Sequence, residues 1–457
     1  MDFVGMIIMS YKDIALTYGD EMISDFIPAD MNVRVLEPEK AKRTFTVLQA
    51  RFDEILKKPV DSAPLEEMVK NRQRARIMIL VDDATRPNKH TKILLPMLLE
   101  KLFDFGVNKD DIRIMVASGS HSPPSNELLE NKILGSEIYN VWKDHVIIHK
   151  QDENCKNLGT SSLGTPIEVD IDVLESGLVI AVSDSEYHYF AGVAGTVKSF
   201  FPGCSGKETI ARNHPQMFDK VHGFKPECRL GNTAGNPVIQ DMIEMAKSTK
   251  KLVPVFCIDA VMEGDDIVIL NGGDINSLHE LVLETLKPLR IVEVEDPADL
   301  VIVSTGALSI NLYQGGKGFH AGWNAVKQGG DVLLLAHCPF GHGSQNYYDT
   351  MQEIKGMDLD KAMNHVIETK CSIETFKIGN QKVVDLLRIL KRCTCHIITE
   401  MDKDEIENVF QMKYVSRTGT IQESLRSWIQ KYREERNQDP LIYVLPDAGN
   451  YIDVKNR

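Results

Sequence analysis

The sequence predicts an α/β protein built as two domains, and three observations lead there. The chain has 457 residues, more than one hydrophobic core usually serves, so two domains of roughly 150 to 300 residues are expected. Short β-branched runs alternate with helical patterns in both halves, the rhythm of parallel strands joined by crossover helices. Each strand of the first half also runs into a polar cluster, and ligands in open α/β sheets bind beyond the carboxyl ends of strands.

In chain order, RIMILVDD (76–83) reads as a buried strand, KILLPMLLEKLFDFG (92–106) as a helix and DIRIMVASGSH (111–121) as a second strand. Continuous apolar runs of this length suit strands covered on both faces. GLVIAVSDS (177–185) repeats the pattern as a third strand. A second α/β unit begins at DPADLVIVSTGA (296–307) and continues through a helix, the strand DVLLLAHCP (331–339) and a last strand around CHIITEM (395–401). The stretch 285–295 separates the two, giving domains of 1–290 and 291–457.

Asp83, Thr85, Arg86 and Pro87 follow the first strand. An arginine there offers a planar fork of donors to a carboxylate or phosphate, and the aspartate can orient it. The competing reading is a turn capped by an Asp-Arg pair. The second strand ends in Ser118-Gly119-Ser120-His121, where an imidazole can act as general acid or base. Ser125 and Glu127 then mark the start of a helix. The third strand leads into EYHYFAGVAGTVKSFFPGCSGKETIARNHPQ, with His188, Lys198 and His214 separated by 10 and 16 residues. That stretch combines a base, an amine nucleophile and a metal-type ligand, with glycines that let backbone approach a bulky ligand. A surface loop with incidental histidines is the alternative. In the second domain, SINLYQGGK puts Gln314 and Lys317 three apart, on one face if the segment is helical.

Three motifs carry less. Cys393 and Cys395 share one face of a strand and are expected to be buried. HCPFGHG (337–343) matches no established zinc spacing and reads as a glycine-rich active-site loop. GCSGKET (203–209) lacks the first glycine of a phosphate loop.

The net charge of -14 argues against nucleic acid as a partner, because phosphate neutralisation needs a basic surface. An anionic substrate would need local cations. Eight cysteines without framework spacing fit a reducing cytoplasm. The N-terminal MDFVGMIIMSYKD carries an aspartate where a signal peptide wants basic residues, and no segment approaches the roughly 20 apolar residues of a membrane span.

Together these residues resemble the lactate racemase family of nickel-dependent 2-hydroxyacid racemases and epimerases. The likeness begins at ALTYGD (15–20), continues through DDATRP, GSHSPP, NLGTSSLGTPIEVD, HYFAGVAGTVKSFFPG and GNPVIQD, and ends beyond YQGGKG. The resemblance implies a two-domain α/β enzyme with its active site in the cleft between the domains. It implies a nickel pincer nucleotide, a pyridinium mononucleotide whose sulfur groups and ring carbon hold nickel. The nucleotide would be tethered covalently to Lys198, and His214 would be the remaining nickel ligand. His121 and His188 correspond to the two catalytic bases, and Arg86, Gln314 and Lys317 to substrate-binding positions, with Asp83 alongside. Implied partners are an anionic 2-hydroxyacid and the proteins that synthesise the cofactor and insert its nickel.

The sequence departs from the family at two places. Lactate-specific members carry a tryptophan near the substrate methyl group, where this chain aligns Gln381, so a substrate larger or more polar than lactate is expected. Relatives often read Gly-Gly-Arg where this chain has Gly195-Thr196-Val197, which removes one positive charge. Two other readings compete with the racemase: a metal-dependent hydrolase using His121, His188 and His214, and a non-catalytic cofactor carrier.

Overall fold

The computed structural model describes residues 11–38, 43–86, 88–436, 439–449 and 451–456. Pro87 and the first ten residues of the N-terminal apolar patch lie outside them. The chain forms two compact units, one of residues 39–217 and 225–289, the other of residues 1–38, 218–224 and 290–457. The break after Leu289 falls inside the expected boundary stretch, but the units are not two consecutive segments. The strand Val33–Val35 pairs in parallel with Ile442–Leu445, which carries residues 11–38 into the C-terminal unit. The hairpin Phe218–Phe224 belongs there as well, with Phe218 against Phe376 and the Arg388 guanidinium 4.8 Å from the Phe224 ring centroid.

The first unit is organised on β1 (Ile77–Asp82), α1 (Lys89–Asp104), β2 (Ile112–Ala117), β3 (Val146–Ile148) and β4 (Leu178–Asp184). These are followed by α2 (Val197–Phe200), α3 (Lys207–Asn213), β5 (Val255–Glu263), β6 (Asp266–Gly273) and α4 (Ile275–Arg290). Among the described residues the sheet has six strands in the order β6-β5-β4-β1-β2-β3. All pairings are parallel except β5 with the edge strand β6. Every residue of β1 is buried, as its uninterrupted apolar run requires of a strand with both faces covered. One face packs on Leu94, Leu95, Leu98 and Leu102 of α1, spaced to line one side of a helix.

The order reverses beside β1: the chain goes out through β2 and β3, then returns to place β4 on the other side. Loops leaving β1 and β4 therefore diverge, and the crevice at such a reversal is where open α/β sheets bind ligands.

The second unit contains β7 (Ala298–Ser304), α5 (Leu312–Gly315), α6 (Lys317–Ala325), β8 (Val326–Leu335), α7 (Asn380–Leu390), β9 (Thr394–Ile398), β10 (Lys413–Tyr414) and β11 (Ile442–Leu445). Its described sheet is wholly parallel, in the order β10-β9-β8-β7-β11 with Val33–Val35 at the edge. Cys393 and Cys395 are buried, and all eight cysteines are free thiols. Among the described residues no helix is long and apolar enough to cross a membrane.

Candidate active site

Six of the nine residues singled out from the sequence come together at the carboxyl ends of β1, β2 and β4. Asp83 directly follows β1 and is buried. Its Oδ1 accepts from the Thr85 hydroxyl at 2.7 Å and the Thr85 N–H at 3.3 Å. Its Oδ2 lies 2.7 Å from Nδ1 of His121, at the turn that ends β2. Beside a carboxylate that nitrogen is the donor, so the neutral ring keeps its lone pair on Nε2. Burial alone would raise the Asp83 carboxyl, but hydrogen bonds from His121 and Thr85 and the charges of His121 and Arg86 hold it below the usual carboxylate range. The pair therefore stays ionised on the aspartate side at neutral pH.

Arg86 closes the same turn, its N–H donating to the Asp83 carbonyl at 3.2 Å. Its guanidinium pairs with Glu186, two residues before His188. Buried Asn88 secures the turn by donating from Nδ2 to the carbonyls of Asp83 at 2.7 Å and Arg86 at 3.1 Å.

The other three residues gather around the buried ring of Phe190. His188 meets it edge to face with centroids 4.4 Å apart, and His214 does so at 5.5 Å. The Lys198 Nζ stands 5.7 Å from its centroid, within cation–π range. His188 sits in a two-residue antiparallel bridge with Gly192 and Val193, and its Nδ1 accepts the Ala191 N–H at 3.3 Å. The neutral ring thus carries its proton on Nε2, the opposite tautomer to His121. His214 begins a 3-10 turn after α3 and is buried. Burial first, then the positive charges of Lys198 and His121, drive its pKa down to about 3.

Two glycines allow this assembly. A Cβ on Gly203 would lie 2.1 Å from the Ser199 carbonyl oxygen and 2.9 Å from the Ala117 side chain, so only glycine lets the Lys198 turn dock on the end of β2. Gly195 has φ +81°, and a Cβ there would lie 2.3 Å from Ser185 Oγ.

Gln314, Lys317 and Gln381 lie in the other unit. Gln314 and Lys317 do not share one helix: Gln314 belongs to the four-residue α5, capped by the Asn311 side chain, and Lys317 opens α6 beyond Gly316. Gln381 is buried in the first turn of α7. Its Oε1 accepts the Gly379 N–H at 2.8 Å and its Nε2 donates to the Tyr313 hydroxyl at 3.0 Å, so its amide is engaged within its own domain. The loop of His337 and His342 meets the ALTYGD hairpin, with the Tyr18 and His337 rings 5.4 Å apart edge to face. Val197, at the place of the family's arginine, is fully buried.

Phe190 was missed by sequence reasoning, although the aromatic triplet around it in HYFAG was the available signal. A set of buried acids was missed too. Asp184 at the end of β4 is pushed up to about 7 by burial, with the charges of Glu186 and Asp82 adding to it against His90 and Arg86. Asp259 on β5 is also pushed up to about 7, again chiefly by burial. An acid within or beside an apolar strand gives no local sign of the neighbours that will surround it.

A buried imidazole that stays neutral is the form in which histidine binds a metal, and a lysine on a loop-anchored turn beside it can carry a covalent group. The residues present fit a lysine-tethered, histidine-ligated nickel cofactor. The hydrolase reading needs three histidines on one ion. Instead His121 commits Nδ1 to Asp83, and among the described residues no three His, Cys, Asp or Glu side chains form a metal-holding group.

The sequence matches the lactate racemase N-terminal domain over residues 18–224 and the lactate racemase C-terminal domain over residues 293–452. It is 29% identical over 449 residues to a lactate racemase of Thermoanaerobacterium thermosaccharolyticum, covering 96% of this chain and 99% of that one. It is 30% identical over 323 residues to a lactate racemase of Lactiplantibacillus plantarum, covering 69% of this chain and 73% of the relative. The solved lactate racemase apoprotein from T. thermosaccharolyticum superposes with a TM-score of 0.82 at 25% identity, over 97% of this chain and all of the other. A Thermotoga maritima protein shares the fold at a TM-score of 0.63 and 15% identity, over 90% of this chain and all of that one. The fold and these relatives define an isomerase of the racemase type. The chain belongs to the lactate racemase family.

Proposed function

We propose that the protein racemises or epimerises a 2-hydroxyacid, using a nickel pincer nucleotide tethered to Lys198 and ligated through His214. The observation that carries this reading is the grouping of His188, Lys198 and the neutral, buried His214 around Phe190. Inverting C2 by proton removal is hard, because that proton is weakly acidic beside an ionised carboxylate. When bound, the nucleotide held by Lys198 and His214 would supply a reversible acceptor for the C2 hydrogen as hydride.

The chain's own residues supply the rest. His121 presents a lone pair on Nε2, with Asp83 behind it to stabilise the imidazolium once it takes the hydroxyl proton. On the other side His188, entering as the imidazolium, would deliver its Nε2 proton to the substrate oxygen and return to the neutral ring whose Nδ1 accepts the Ala191 N–H. Arg86 binds the substrate carboxylate, which must first displace Glu186 from the guanidinium. By family resemblance the C-terminal domain contributes Gln314 and Lys317, with Lys317 polarising the forming carbonyl.

The substrate is proposed to be larger or more polar than lactate. Gln381 stands where lactate-specific members have tryptophan, and its donation to Tyr313 leaves the tyrosine's own hydrogen for another acceptor. Burial pushes the Tyr313 hydroxyl up to about 12, so it remains a donor. The implied partners are the proteins that build the cofactor and insert its nickel, in the cytoplasm, where the eight free thiols stay reduced.

The test is expression with the cofactor-synthesis proteins, intact mass, and assay of both enantiomers of lactate, malate, 2-hydroxyglutarate and aldonic acids. Added mass at Lys198, absent from Lys198→Ala, together with inversion of a polar acid is the expected result. Full loading of Lys198→Ala overturns the tether, and a preference for lactate overturns the substrate reading.

A further inference from the structure

Lys198 lies on α2, a helix of a single turn. One turn has no cooperative stability of its own, so something beyond its backbone must fix the direction of the lysine stem. Two buried hydroxyl residues flank the lysine, and both are tied to strands of the central sheet.

On one side Thr196 has φ 38° and ψ −106°, a left-handed backbone that strains a β-branched residue. Its N–H donates to Ser183 Oγ at 3.1 Å, and its Oγ1 lies 3.1 Å from Nδ1 of buried His279 on α4. Ser183 donates in turn to Asp259 Oδ1 at 2.7 Å, which also receives Ser185 Oγ at 2.7 Å. On the other side Ser199 Oγ donates to Asp82 Oδ1 at 3.1 Å. The second oxygen of Asp82 faces His90 Nε2 at 3.4 Å. The backbone bond from the Lys198 N–H to the Gly195 carbonyl, 2.8 Å, could form with many sequences. The two side-chain ties could not.

We propose that Thr196 and Ser199 are positioning residues for Lys198, hydroxyl clamps that fasten its turn to His279 on α4 and to Asp82 on β1. The assignment rests on the reading of Lys198 as the cofactor tether. A tethered group must meet its partners in one orientation, and an amine on a loosely held turn would spread over many. Glycine would occupy the Thr196 backbone without strain, but it could make no tie to His279. The strained threonine supplies a hydroxyl that a glycine at this position would lack.

The test uses the full-length apoprotein with Ser199→Ala and Thr196→Val, and Thr196→Ser as the variant that keeps the hydroxyl. Lys198 is acylated with an acetyl N-hydroxysuccinimide ester. Its rate is read by peptide mass spectrometry relative to exposed Lys70 in the same sample. Loss of a clamp is expected to raise that ratio about fivefold, the factor equivalent to one net hydrogen bond, in Ser199→Ala and in Thr196→Val. Thr196→Ser should stay at the wild-type ratio. Lys70 is the internal standard for reagent dose, and the Tm of each variant, measured alongside, separates local release of Lys198 from global unfolding, which would also raise the ratio. After expression with the cofactor-synthesis proteins, the loaded fraction should fall in the two clamp variants and recover in Thr196→Ser. A wild-type ratio in both Ser199→Ala and Thr196→Val overturns the clamps. If Thr196→Val does not fold, Ser199→Ala decides alone by the same criterion. Wild-type protein that never gains mass at Lys198 overturns the tether reading instead, and the acylation ratio then judges the clamps without it.

Discussion

Replacing Asp83 by asparagine isolates what the carboxylate does for His121. The change preserves size, and the amide oxygen of the new side chain can still accept from the Thr85 hydroxyl, 2.7 Å away in the wild type. It removes the negative partner at 2.7 Å from the His121 Nδ1. That bond is shielded, since the Asp83 side chain is 7% exposed, though His121 itself is 47% exposed. A hydrogen bond to a charged group is worth about 1.5 to 3 kcal/mol, and here it is strongest when His121 holds the substrate proton. The expected loss in kcat per bound nickel is therefore about tenfold to a hundredfold, with KM changed little because the Arg86 guanidinium is untouched. Initial rates in both directions, followed by chiral chromatography and normalised to nickel content, measure it. A kcat within twofold of wild type would refute the orienting role. The pH dependence of stability gives a second reading. A carboxyl held below its usual range adds stability above the unfolded pKa near 4, and this is lost as pH falls through the folded value. The difference in Tm between wild type and Asp83→Asn should be full at neutral pH and close below about pH 4.

His214→Ala should lower nickel content at least about tenfold, and more than His121→Ala or His188→Ala. Equal loss in all three, by elemental analysis of loaded protein, would favour a three-histidine metal site. Glu186→Gln removes the carboxylate paired with Arg86; because that pair is partly exposed, KM for an acid substrate should fall only about two- to fivefold. A KM that rises would show that Glu186 holds Arg86 in place and does not compete for it. Gln381→Met keeps volume but loses the donation to Tyr313, so kcat/KM for a hydroxyl-bearing acid relative to lactate should fall about tenfold. An unchanged ratio would place residue 381 outside substrate discrimination.

The central strands were readable because burial on both faces demands unbroken apolar runs, as in residues 77–82 and 178–182. The site was readable in part because its residues follow such strands directly: Asp83 after β1, His121 after β2, His188 after β4. What escaped depends on neighbours distant in sequence. Nothing in three residues such as Val33–Val35 shows that they will pair with residues 442–444. Nor does an isolated Asp184 or Asp259 reveal the burial that, with lesser help from neighbouring carboxylates, pushes both up to about 7. The spacing of Gln314 and Lys317 suggested one helix face, but Gly316 divides the segment into two helices.

The strand Val33–Val35 has a consequence for biosynthesis. It leaves the ribosome about 400 residues before the Ile442–Leu445 segment it completes, so it must wait for nearly the whole chain while the first unit folds. Until it docks, β11 presents an open row of backbone donors and acceptors, the kind of edge that recruits other chains. A C-terminal fragment cut at residue 290 would carry that edge permanently and should aggregate. The same fragment with residues 11–38 rejoined through a linker regains its outer strand.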